Sequence, residues 1–343
     1  MVLIFVVCFS FSFFLFLFFL QIYHKMDLDP YLEATIQEWN TRVYIFIGAE
    51  CTLGLFTIIT NTFVLVVLYR FRTLHTVANC YIGSLAVADV MVGCFSPVLI
   101  VVAYLDLARD FYSCVFIHSF VRVFLNTSLL SLACLTLDRY WSILHPVSRF
   151  NVASRRCAFI NVAVLWILGA STGLMPLMGW HKDPEGFKAC SYLRVIDLRH
   201  TVFIRFFALE LPLILTMLFV NARIFYSVAS ADKRRARAVF RDVPLCMSSE
   251  ARLKSQKKLF LALTLIFALF VVCWLPLDIV NSILHWSDIP VDKGLVHFTV
   301  FLSHLNSLVN PIVYAVSQPG FRRIIRTYIH ACRPYGHSAS SSR

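Results

Sequence analysis

Charged side chains are scarce in this sequence. Lys, Arg, Asp and Glu make up 15% of its 343 residues, whereas hydrophobic residues make up 59% and the mean hydropathy is +0.74. Soluble globular domains carry about 25% charged residues. The composition therefore excludes an ordinary soluble domain and is typical of a polytopic membrane protein.

The sequence also lacks a zinc-protease motif and the internal repeats that would indicate a transporter. An intramembrane enzyme needs a metal or nucleophile constellation, and the sequence contains no H-E-x-x-H zinc motif. We therefore predict that the protein is not an enzyme. A transporter or channel is the main alternative to a receptor, because polar residues at the membrane midplane also mark permeation routes. Inverted repeats and paired broken helices, which would favour that alternative, are not visible.

Acidic residues are the minority, with 19 Asp and Glu against 31 Lys and Arg, and the formal charge is +12. The basic residues concentrate in alternate connections between apolar runs, which the positive-inside rule identifies as cytoplasmic. These connections contain Arg70 and Arg72, then Arg139, Arg149, Arg155 and Arg156, then Lys233 to Lys258, then Arg322, Arg323 and Arg326. Because the clusters are juxtamembrane, they indicate topology and contact with the lipid bilayer rather than nucleic-acid binding.

Long apolar runs define the organisation of the chain. A run of about 20 apolar residues is long enough to cross a bilayer. Seven such runs follow residue 40, at 43–69, 77–104, 112–136, 157–179, 200–227, 257–286 and 294–316. The sequence predicts an all-α membrane protein with a seven-transmembrane helix bundle over residues 43–316. The N-terminus, residues 26–42, is expected to be extracellular and the C-terminus cytoplasmic, as in a multi-pass protein of the cell membrane.

Both ends of the chain carry further signals. Residues 1–25 are almost entirely apolar up to residue 23, but no basic residue precedes them and no A-x-A cleavage pattern follows. An uncleaved span, an atypical signal and a wrongly chosen start codon remain open, and Met26 is the preferred start. Residues 317–332 form a basic amphipathic stretch that predicts a short eighth helix, with Cys332 either palmitoylated or unmodified. Residues 333–343 are predicted to be a disordered tail.

The seventh run is unusually polar for a membrane span. Ser303, Ser307, Asn310 and Tyr314 follow i, i+4, i+7, i+11 spacing and therefore share one helical face. Polar groups are costly in hydrocarbon unless they have partners, so this face is expected to point into the bundle. Pro311 removes a backbone donor at the same place. The pattern favours a functional helix over a simple anchor.

Short motifs identify the kind of bundle. They are Asp138-Arg139-Tyr140 at the end of the third run, Asn310-Pro311-Ile312-Val313-Tyr314 in the seventh, Cys273-Trp274-Leu275-Pro276 in the sixth, Asp89 in the second and Trp166 in the fourth. Cys114 and Cys190 both face the oxidising side, where we predict a disulfide between them. In this order the motifs resemble those of the rhodopsin-like (class A) G-protein-coupled receptors, over residues 43–330.

The resemblance implies a sodium pocket around Asp89 inside the membrane. Its further members would be Asn61, Ser128, Trp274, Asn306, Ser307 and Asn310. An oxygen-rich cluster of this kind suits a hard monovalent cation, so an allosteric Na⁺ is the single metal that we expect, and no other cofactor. A protonated Asp89 in a polar packing network is the alternative.

The resemblance also implies a conformational switch for coupling to a heterotrimeric G protein. Its residues would be Asp138, Arg139, Tyr140, Pro276, Asn310, Pro311 and Tyr314. Two positions depart from the family pattern, because Gln256 replaces a frequent glutamate and Asn221 replaces a usual tyrosine. Both changes remove contacts that separate the inactive state from the active one. We predict altered basal activity, with its direction open.

Several residues restrict the ligand class. Val121 stands where aminergic receptors carry an aspartate, and His304 stands where opsins carry the retinal-linked lysine. An amine or retinal ligand is therefore not expected. The residues that resemble those of adenosine receptors are Glu50, Tyr192, Trp274, Asn281, Ser303 and His304, together with the segment Leu174 to Trp180. In that family an asparagine at the place of Asn281 grips adenine, and Tyr192 replaces a stacking phenylalanine.

Other residues of the same pocket depart from adenosine receptors. Leu193 replaces a glutamate, and Leu125 and Asp278 replace a hydroxyl residue and a histidine. Arg122 and Arg205 stand where that family has apolar residues. They either form an internal ion-pair network with Asp278 or Glu210, or they bind a ligand that carries a carboxylate or phosphate.

Glu50 and His304 are predicted to pair across the first and seventh helices, with a packed neutral histidine as the alternative. The sequence as a whole predicts an adenosine-receptor-like G-protein-coupled receptor for an extracellular small molecule, adenosine or another. A diverged receptor for an acidic or lipid ligand, or one active without ligand, is the main alternative, followed by a transporter or channel.

Overall fold

The structure is a computed structural model. It describes the backbone of residues 30–105, 107–108, 110–145, 154–185, 187–240, 247–287, 289, 291–317 and 324. Side chains are described over the same ranges except at 30–40, 232, 234–240, 247–260, 262–263 and 314–317. Within these ranges the protein is almost entirely helical.

Seven long helices follow one another along the chain. They are α1 Pro30–Arg70, α2 Val77–Tyr104, α3 Phe111–Leu144, α4 Arg155–Leu174, α5 Leu211–Phe240, α6 Met247–Trp286 and α7 Lys293–Ser317. A π-helical segment, His200–Glu210, leads directly into α5, and a 3₁₀ turn, Met175–Met178, ends α4. The predicted all-α seven-helix bundle is confirmed, although several helices extend beyond the apolar runs.

Polar side chains fix where three of the helices begin. Thr76, Asp110 and Ser154 each accept a hydrogen bond from the backbone N–H three residues later, at 3.4, 2.8 and 3.1 Å. Such caps satisfy one of the four N–H groups that the first turn of a helix leaves without a partner. The hydrogen bonds with Ser113 also lower the pKa of the Asp110 carboxyl group. Asp110 thus helps to fix the start of α3, one turn before Cys114.

The helices pack into a closed ring, of which α3 is a member. Helices α1, α2, α3 and α4 contact one another in succession, and α3 also contacts α5. Helix α5 then packs against α6, α6 against α7, and α7 against both α1 and α2. The largest core cluster joins residues of all seven helices. The ring therefore has a well-defined interior, in which the polar residues of the predicted site lie.

The surface of the bundle is apolar and its interior holds polar groups. Large apolar side chains such as Ile45, Phe159 and Phe219 are 60% exposed or more, whereas Asp89 and Asn310 are buried. Six helical segments of the described chain are long and apolar enough to cross a membrane: Thr41–Arg70, Val77–Tyr104, Phe111–Leu144, Arg155–Met178, His200–Ala231 and Thr264–Trp286. Helix α7, which contains the polar residues of the seventh run, is not among these six segments of the described chain.

The boundaries of the connections differ from the sequence prediction. The fifth and sixth apolar runs leave a basic connection between residues 227 and 257, but α5 continues to Phe240 and α6 begins at Met247. Basic helices can continue into water once the apolar run has crossed the bilayer. Helix α1 likewise begins at Pro30, well before residue 43. Residues 1–25, most of the predicted eighth helix and Cys332 lie outside the described residues.

Helices α3 and α4 approach each other closely at two glycines. A Cβ atom on Gly169 would lie 2.2 Å from Thr127 Oγ1, and one on Gly173 would lie 2.7 Å from the backbone N of Val123. These glycines and Ser171 also match the G-x-S-x-G spacing of hydrolases, which requires a strand-to-helix turn. Here Ser171 lies within a helix and donates to the Leu168 carbonyl at 3.0 Å. The pattern therefore reflects helix packing rather than catalysis.

Candidate functional site

A cavity of about 640 Å³ opens between the helices at the end of the bundle where α3 begins. It has the size of a small-molecule site, since such pockets usually measure about 300–1,000 Å³. The sequence predicts ten ligand-binding residues: Glu50, Val121, Arg122, Tyr192, Arg205, Trp274, Asp278, Asn281, Ser303 and His304. Seven of them line this cavity: Val121, Arg122, Tyr192, Trp274, Asn281, Ser303 and His304. The remaining three, Glu50, Arg205 and Asp278, do not line the cavity but lie behind its lining residues.

The loop before α5 brings Tyr192 to the cavity. The predicted disulfide between Cys114 and Cys190 is confirmed, with the two Cα atoms 5.6 Å apart. Beyond it, Lys182 Nζ donates to the Leu193 carbonyl at 2.8 Å. The disulfide and this hydrogen bond hold both sides of Tyr192, so its ring has a fixed position over α3. Leu193, which replaces an acidic residue of adenosine receptors, also lines the cavity.

Glu50 and His304 form the pair that the sequence predicts. His304 Nδ1 lies 3.1 Å from Glu50 Oε1 and 3.0 Å from Oε2, and both side chains are buried. His304 faces the cavity on α7, and Glu50 supports it from α1. Because a carboxylate only accepts hydrogen bonds when it is ionised, the Nδ1 atom must carry a proton to bond it. The pair therefore sets the orientation of the imidazole ring.

Arg205 is the centre of a buried charged network. Its guanidinium donates to Glu210 at 2.9 Å and also to Asp278 on α6. The ring of Trp274 lies beside it, 5.4 Å from Arg205 Cζ. The ion-pair alternative that the sequence left open is therefore confirmed for Arg205. This network forms a second layer behind Trp274, and Arg205 and Asp278 do not line the cavity.

The π-helical segment makes this network possible. Residues i and i+5 of an α-helix point about 140° apart, so Arg205 and Glu210 would face different sides. A π-helix bonds residue i to i+5 and therefore stacks these two residues on one side. The segment His200–Glu210 is π-helical throughout. Both Arg205 and Glu210 consequently point into the bundle, where they are buried.

Arg122 has different surroundings. Its guanidinium donates to the Tyr192 hydroxyl at 3.1 Å and lies 5.4 Å from the centre of that ring. The Tyr192 hydroxyl also bonds Thr201 Oγ1. Among the described residues, no carboxylate forms an ion pair with Arg122, and the two buried carboxylates nearby, Glu210 and Asp278, bind Arg205. The predicted ion-pair network therefore includes Arg205 and does not include Arg122.

His118 is a cavity residue that the sequence analysis did not single out. It lies one helical turn before Arg122, so the i, i+4 spacing places both on one face of α3. Its ring centre is 5.4 Å from that of Tyr192, and its Nε2 atom is buried without a hydrogen-bond partner among the described residues. The i, i+4 spacing of His118 and Arg122 is the feature of the sequence from which His118 could have been predicted to face the cavity.

Aromatic residues close another side of the cavity. The ring of Phe46 stacks on His297 with centres 4.7 Å apart, and the Tyr104 hydroxyl bonds His297 Nε2. These residues come from α1, α7 and α2. Their positions in the sequence carry no shared spacing, so only the packing of the three helices brings them together.

Below the cavity, Asp89 is fully buried and accepts two hydrogen bonds. Ser128 Oγ donates to Oδ1 at 2.8 Å, and Asn310 Nδ2 donates to Oδ2 at 2.9 Å. Asn61 Nδ2 donates at 2.9 Å to the carbonyl of Ser307, which lies four residues before Pro311 and receives no backbone hydrogen bond from that proline. Asn306 is also buried on α7. The predicted polar members from four helices therefore cluster in the interior.

The far end of α3 contains the predicted switch residues. Asp138, Arg139 and Tyr140 are half-buried there, and Tyr140 packs against Val220, Ile224 and Val228 of α5. Asn221 bonds its own helix through the Met217 carbonyl at 2.8 Å. Pro276 and Pro311 lie inside α6 and α7. The side chains of Gln256 and Tyr314 lie outside the described residues.

These features define a seven-helix membrane receptor, with a ligand-sized cavity at one end and a polar core that leads toward the other. The family described as "7 transmembrane receptor (rhodopsin family)" matches residues 60–314. The chain belongs to this family and is a multi-pass G-protein-coupled receptor of the membrane. It is a receptor and not an enzyme, as the sequence predicted.

Curated relatives narrow the similarity further. The dog adenosine receptor A2a is 32% identical over 326 residues, which cover 88% of this chain and 77% of the relative. The human adenosine receptor A2b is 29% identical over 316 residues, which cover 84% and 92%. The sheep adenosine receptor A3 is 29% identical over 307 residues, which cover 88% and 94%. The receptor is thus adenosine-receptor-like.

Proposed function

We propose that the receptor binds an extracellular purine compound of the adenosine type in the cavity and passes the signal to heterotrimeric G proteins. The observation that carries this proposal is the convergence of Tyr192, Asn281, Ser303 and His304 on one cavity. An asparagine amide can bond an adenine edge through both its oxygen and its nitrogen. An aromatic ring such as Tyr192 can stack on the purine.

The proposed orientation places the cavity outside the cell. The disulfide between Cys114 and Cys190 lies beside the cavity, and disulfides persist in oxidising compartments. Arg70, Arg155 and Arg156 lie where α1 ends and α4 begins, at the other end of the bundle. Basic residues in short connections favour the cytoplasm. Both observations support an extracellular N-terminus and a cytoplasmic C-terminus.

In the proposed mechanism, the ligand changes the population of two bundle conformations. A ligand can shift such an equilibrium only by its difference in affinity for the two states. Trp274 touches the cavity from α6, and Pro276 follows two residues later in the same helix. Contact at Trp274 can therefore bias a bend of α6 at Pro276. Its movement would open the end of the bundle near Arg139 to a G protein.

We also propose that Na⁺ binds beside Asp89 in one of these states. The Asp89 carboxylate and the Ser128 hydroxyl supply oxygen atoms, the donor type that hard cations prefer. Asn310 gives its Nδ2 hydrogen to Asp89, so its Oδ1 atom is the available ligand. Trp274 has only an N–H donor and can hold the ion only through a water molecule. The ion supplies a positive charge that stabilises ionised Asp89.

Saturation binding of a radiolabelled adenosine analogue to membranes tests the ligand proposal. We expect saturable binding that Asn281→Ala and Tyr192→Ala each weaken by about tenfold or more, since each removes a contact worth at least about 1.4 kcal/mol. Asn161→Ala is the matched control, because this asparagine donates to Tyr81 near the start of α2, at the opposite end of the bundle from the cavity. Absence of saturable binding at normal surface expression would contradict the proposal.

A further inference from the structure

We infer that the natural ligand of the cavity carries a carboxylate or phosphate group, which Arg122 and His118 bind. The inference rests on the proposed function, in that it takes the cavity as the ligand site of the receptor. It goes further by assigning a charge to the ligand and a place in the cavity to that charge. Adenosine itself is neutral, so the inference distinguishes between purine compounds.

The charges of the cavity wall support this assignment. Three permanently charged basic residues line the cavity, Arg122, Arg194 and Lys293, together with the histidines His118, His297 and His304. Among the described lining residues there is no Asp or Glu. Walls of one sign focus the electrostatic field inside a cleft and attract ions of the opposite sign. A cavity of this kind favours an anion over a neutral or cationic ligand.

Arg122 lies deeper along α3 than His118, the other basic residue that this helix contributes to the cavity wall. Two helical turns separate it from Cys114, which the disulfide ties to the loop above the cavity. A guanidinium has five N–H donors, of which Arg122 uses one for the Tyr192 hydroxyl. The planar fork of the remaining donors matches a carboxylate or a phosphate in a bidentate arrangement. A charged group at this depth is costly without an anionic partner.

The two nearest acidic residues have another role. Glu210 and Asp278 bind Arg205 directly, and they lie behind Trp274 rather than on the cavity wall. They therefore lower the cost of burying Arg122 only at longer range. A ligand anion could bond Arg122 directly without displacing either carboxylate from Arg205. Arg205 therefore stabilises the bundle, whereas Arg122 faces the ligand.

His118 provides a second observation at the same place. Its side chain is at least nine-tenths buried, and its Nε2 atom has no hydrogen-bond partner among the described residues. It packs edge-on against the Tyr192 ring, one turn from Arg122. Buried polar atoms are nearly always hydrogen-bonded in folded proteins. An acidic group bound to Arg122 would supply the acceptor that a protonated Nε2 requires.

The remaining lining residues indicate the chemistry of the part of the ligand that carries no charge. Leu125, Leu277 and Val300 are apolar, and Asn281 adds one amide group. A flat ring system with one acidic group fits this lining, and purine nucleoside monophosphates belong to that class. The matched probes are therefore adenosine and 5′-deoxyadenosine 5′-phosphonate, whose carbon–phosphorus bond resists phosphatases. The two compounds share the purine and ribose and differ in the acidic group.

The experiment measures the affinity of both probes for the purified full-length receptor in lipid nanodiscs. We expect the phosphonate to bind at least about 30-fold more tightly than adenosine, because a buried charged hydrogen-bonded pair is worth about 2 kcal/mol or more. Arg122→Gln should remove that preference, so that the ratio of the two affinities falls to about one. Arg122→Lys should keep part of it, since lysine retains the charge but loses the fork.

Arg194→Gln is the matched control, because Arg194 also lines the cavity but is exposed to solvent. We expect it to change the preference by less than about threefold, since screening weakens exposed charges. Equal binding of the two probes to the unaltered receptor would overturn the inference and leave the proposed function intact. Binding of neither probe to folded receptor would overturn both. If Arg122→Gln and Arg122→Lys both fail to fold, the preference of the unaltered receptor for the phosphonate over adenosine is the result that tests the inference.

Discussion

His304 Nδ1 on α7 lies 3.0 Å from Glu50 Oε2 on α1, and this contact joins the first helix of the ring to the last. His304 also lines the cavity, so one buried pair both closes the bundle and orients part of the ligand site. A change in the contact should therefore affect stability and ligand binding together. Such a link is expected where a membrane helix contains polar groups.

A double-mutant cycle tests this pair. Glu50→Ala and His304→Ala should each destabilise the purified receptor, because each leaves a buried polar partner without a bond, at a cost of about 1–3 kcal/mol. The double variant should lose less than the sum, with a coupling energy of about 0.5–2 kcal/mol. Thr52→Ala is the control, since its hydroxyl bonds only its own helix at the Gly48 carbonyl. Additive effects on thermal unfolding would show that the pair is not coupled.

Removal of Arg205 should be more damaging than removal of an exposed arginine. Arg205→Ala leaves Glu210 and Asp278 buried without their cation, which costs about 3–5 kcal/mol. We expect surface expression to fall strongly. Arg199→Ala breaks an exposed pair with Asp197 and should cost at most about 1 kcal/mol.

Joint replacement of the network separates its charge from its packing. The triple variant Arg205→Met, Glu210→Leu, Asp278→Leu removes all three charges and fills their space with apolar side chains. Buried ion networks can often be replaced by apolar residues at little cost. The triple variant should therefore express better than Arg205→Ala alone. Equal loss in both variants would mean that the network has a role beyond charge balance.

Helix packing at Gly173 should tolerate no larger side chain. A Cβ atom there would lie 2.7 Å from the backbone N and 2.8 Å from the Cα atom of Val123, so α3 and α4 must separate. Gly173→Ala should destabilise by about 1–3 kcal/mol. Gly48→Ala is the matched control in α1, where no atom lies within 4 Å of the new methyl group. It should be neutral or stabilising by up to about 1 kcal/mol in thermal unfolding.

Sodium should affect agonist affinity through Asp89. If Na⁺ favours the inactive state, replacing choline chloride with sodium chloride should lower agonist affinity in the unaltered receptor. Asp89→Asn removes the carboxylate that the proposed site requires, and its agonist affinity should be the same in both salts. Ser128→Ala removes one neutral oxygen and should retain part of the sodium effect. An undiminished sodium effect in Asp89→Asn would exclude this site.

The sequence predicted the helices well because the bilayer constrains them strongly. A span needs about 20 apolar residues, and few other structures satisfy the backbone in hydrocarbon. The predicted contacts of Glu50 with His304 and of Cys114 with Cys190 were also correct. Helix ends were less predictable, since α5 and α6 continue as polar helices beyond their apolar runs. No apolar periodicity marks such extensions.

The cavity could be predicted only in part. Asn281, Tyr192 and Ser303 were identified from motifs, whereas the separation of Arg205 from Arg122 depends on the π-helical segment before α5. Insertion of π-helical turns changes which residues share a face, and residue spacing alone does not reveal it. The contact of Phe46 with His297 likewise arises from the packing of α1 against α7.

The measurement that tests the central claim most directly is nucleotide exchange on purified heterotrimeric G proteins by the receptor in nanodiscs. We predict that a saturating adenosine analogue or its phosphonate increases the exchange rate, and that Asn281→Ala shifts the response to higher concentration without lowering its maximum. Arg139→Ala should abolish the increase and leave ligand binding in place. The account would be contradicted if neither Asn281→Ala nor Arg139→Ala changed the exchange response. It would also be contradicted if a folded receptor bound the compound but did not increase the exchange rate.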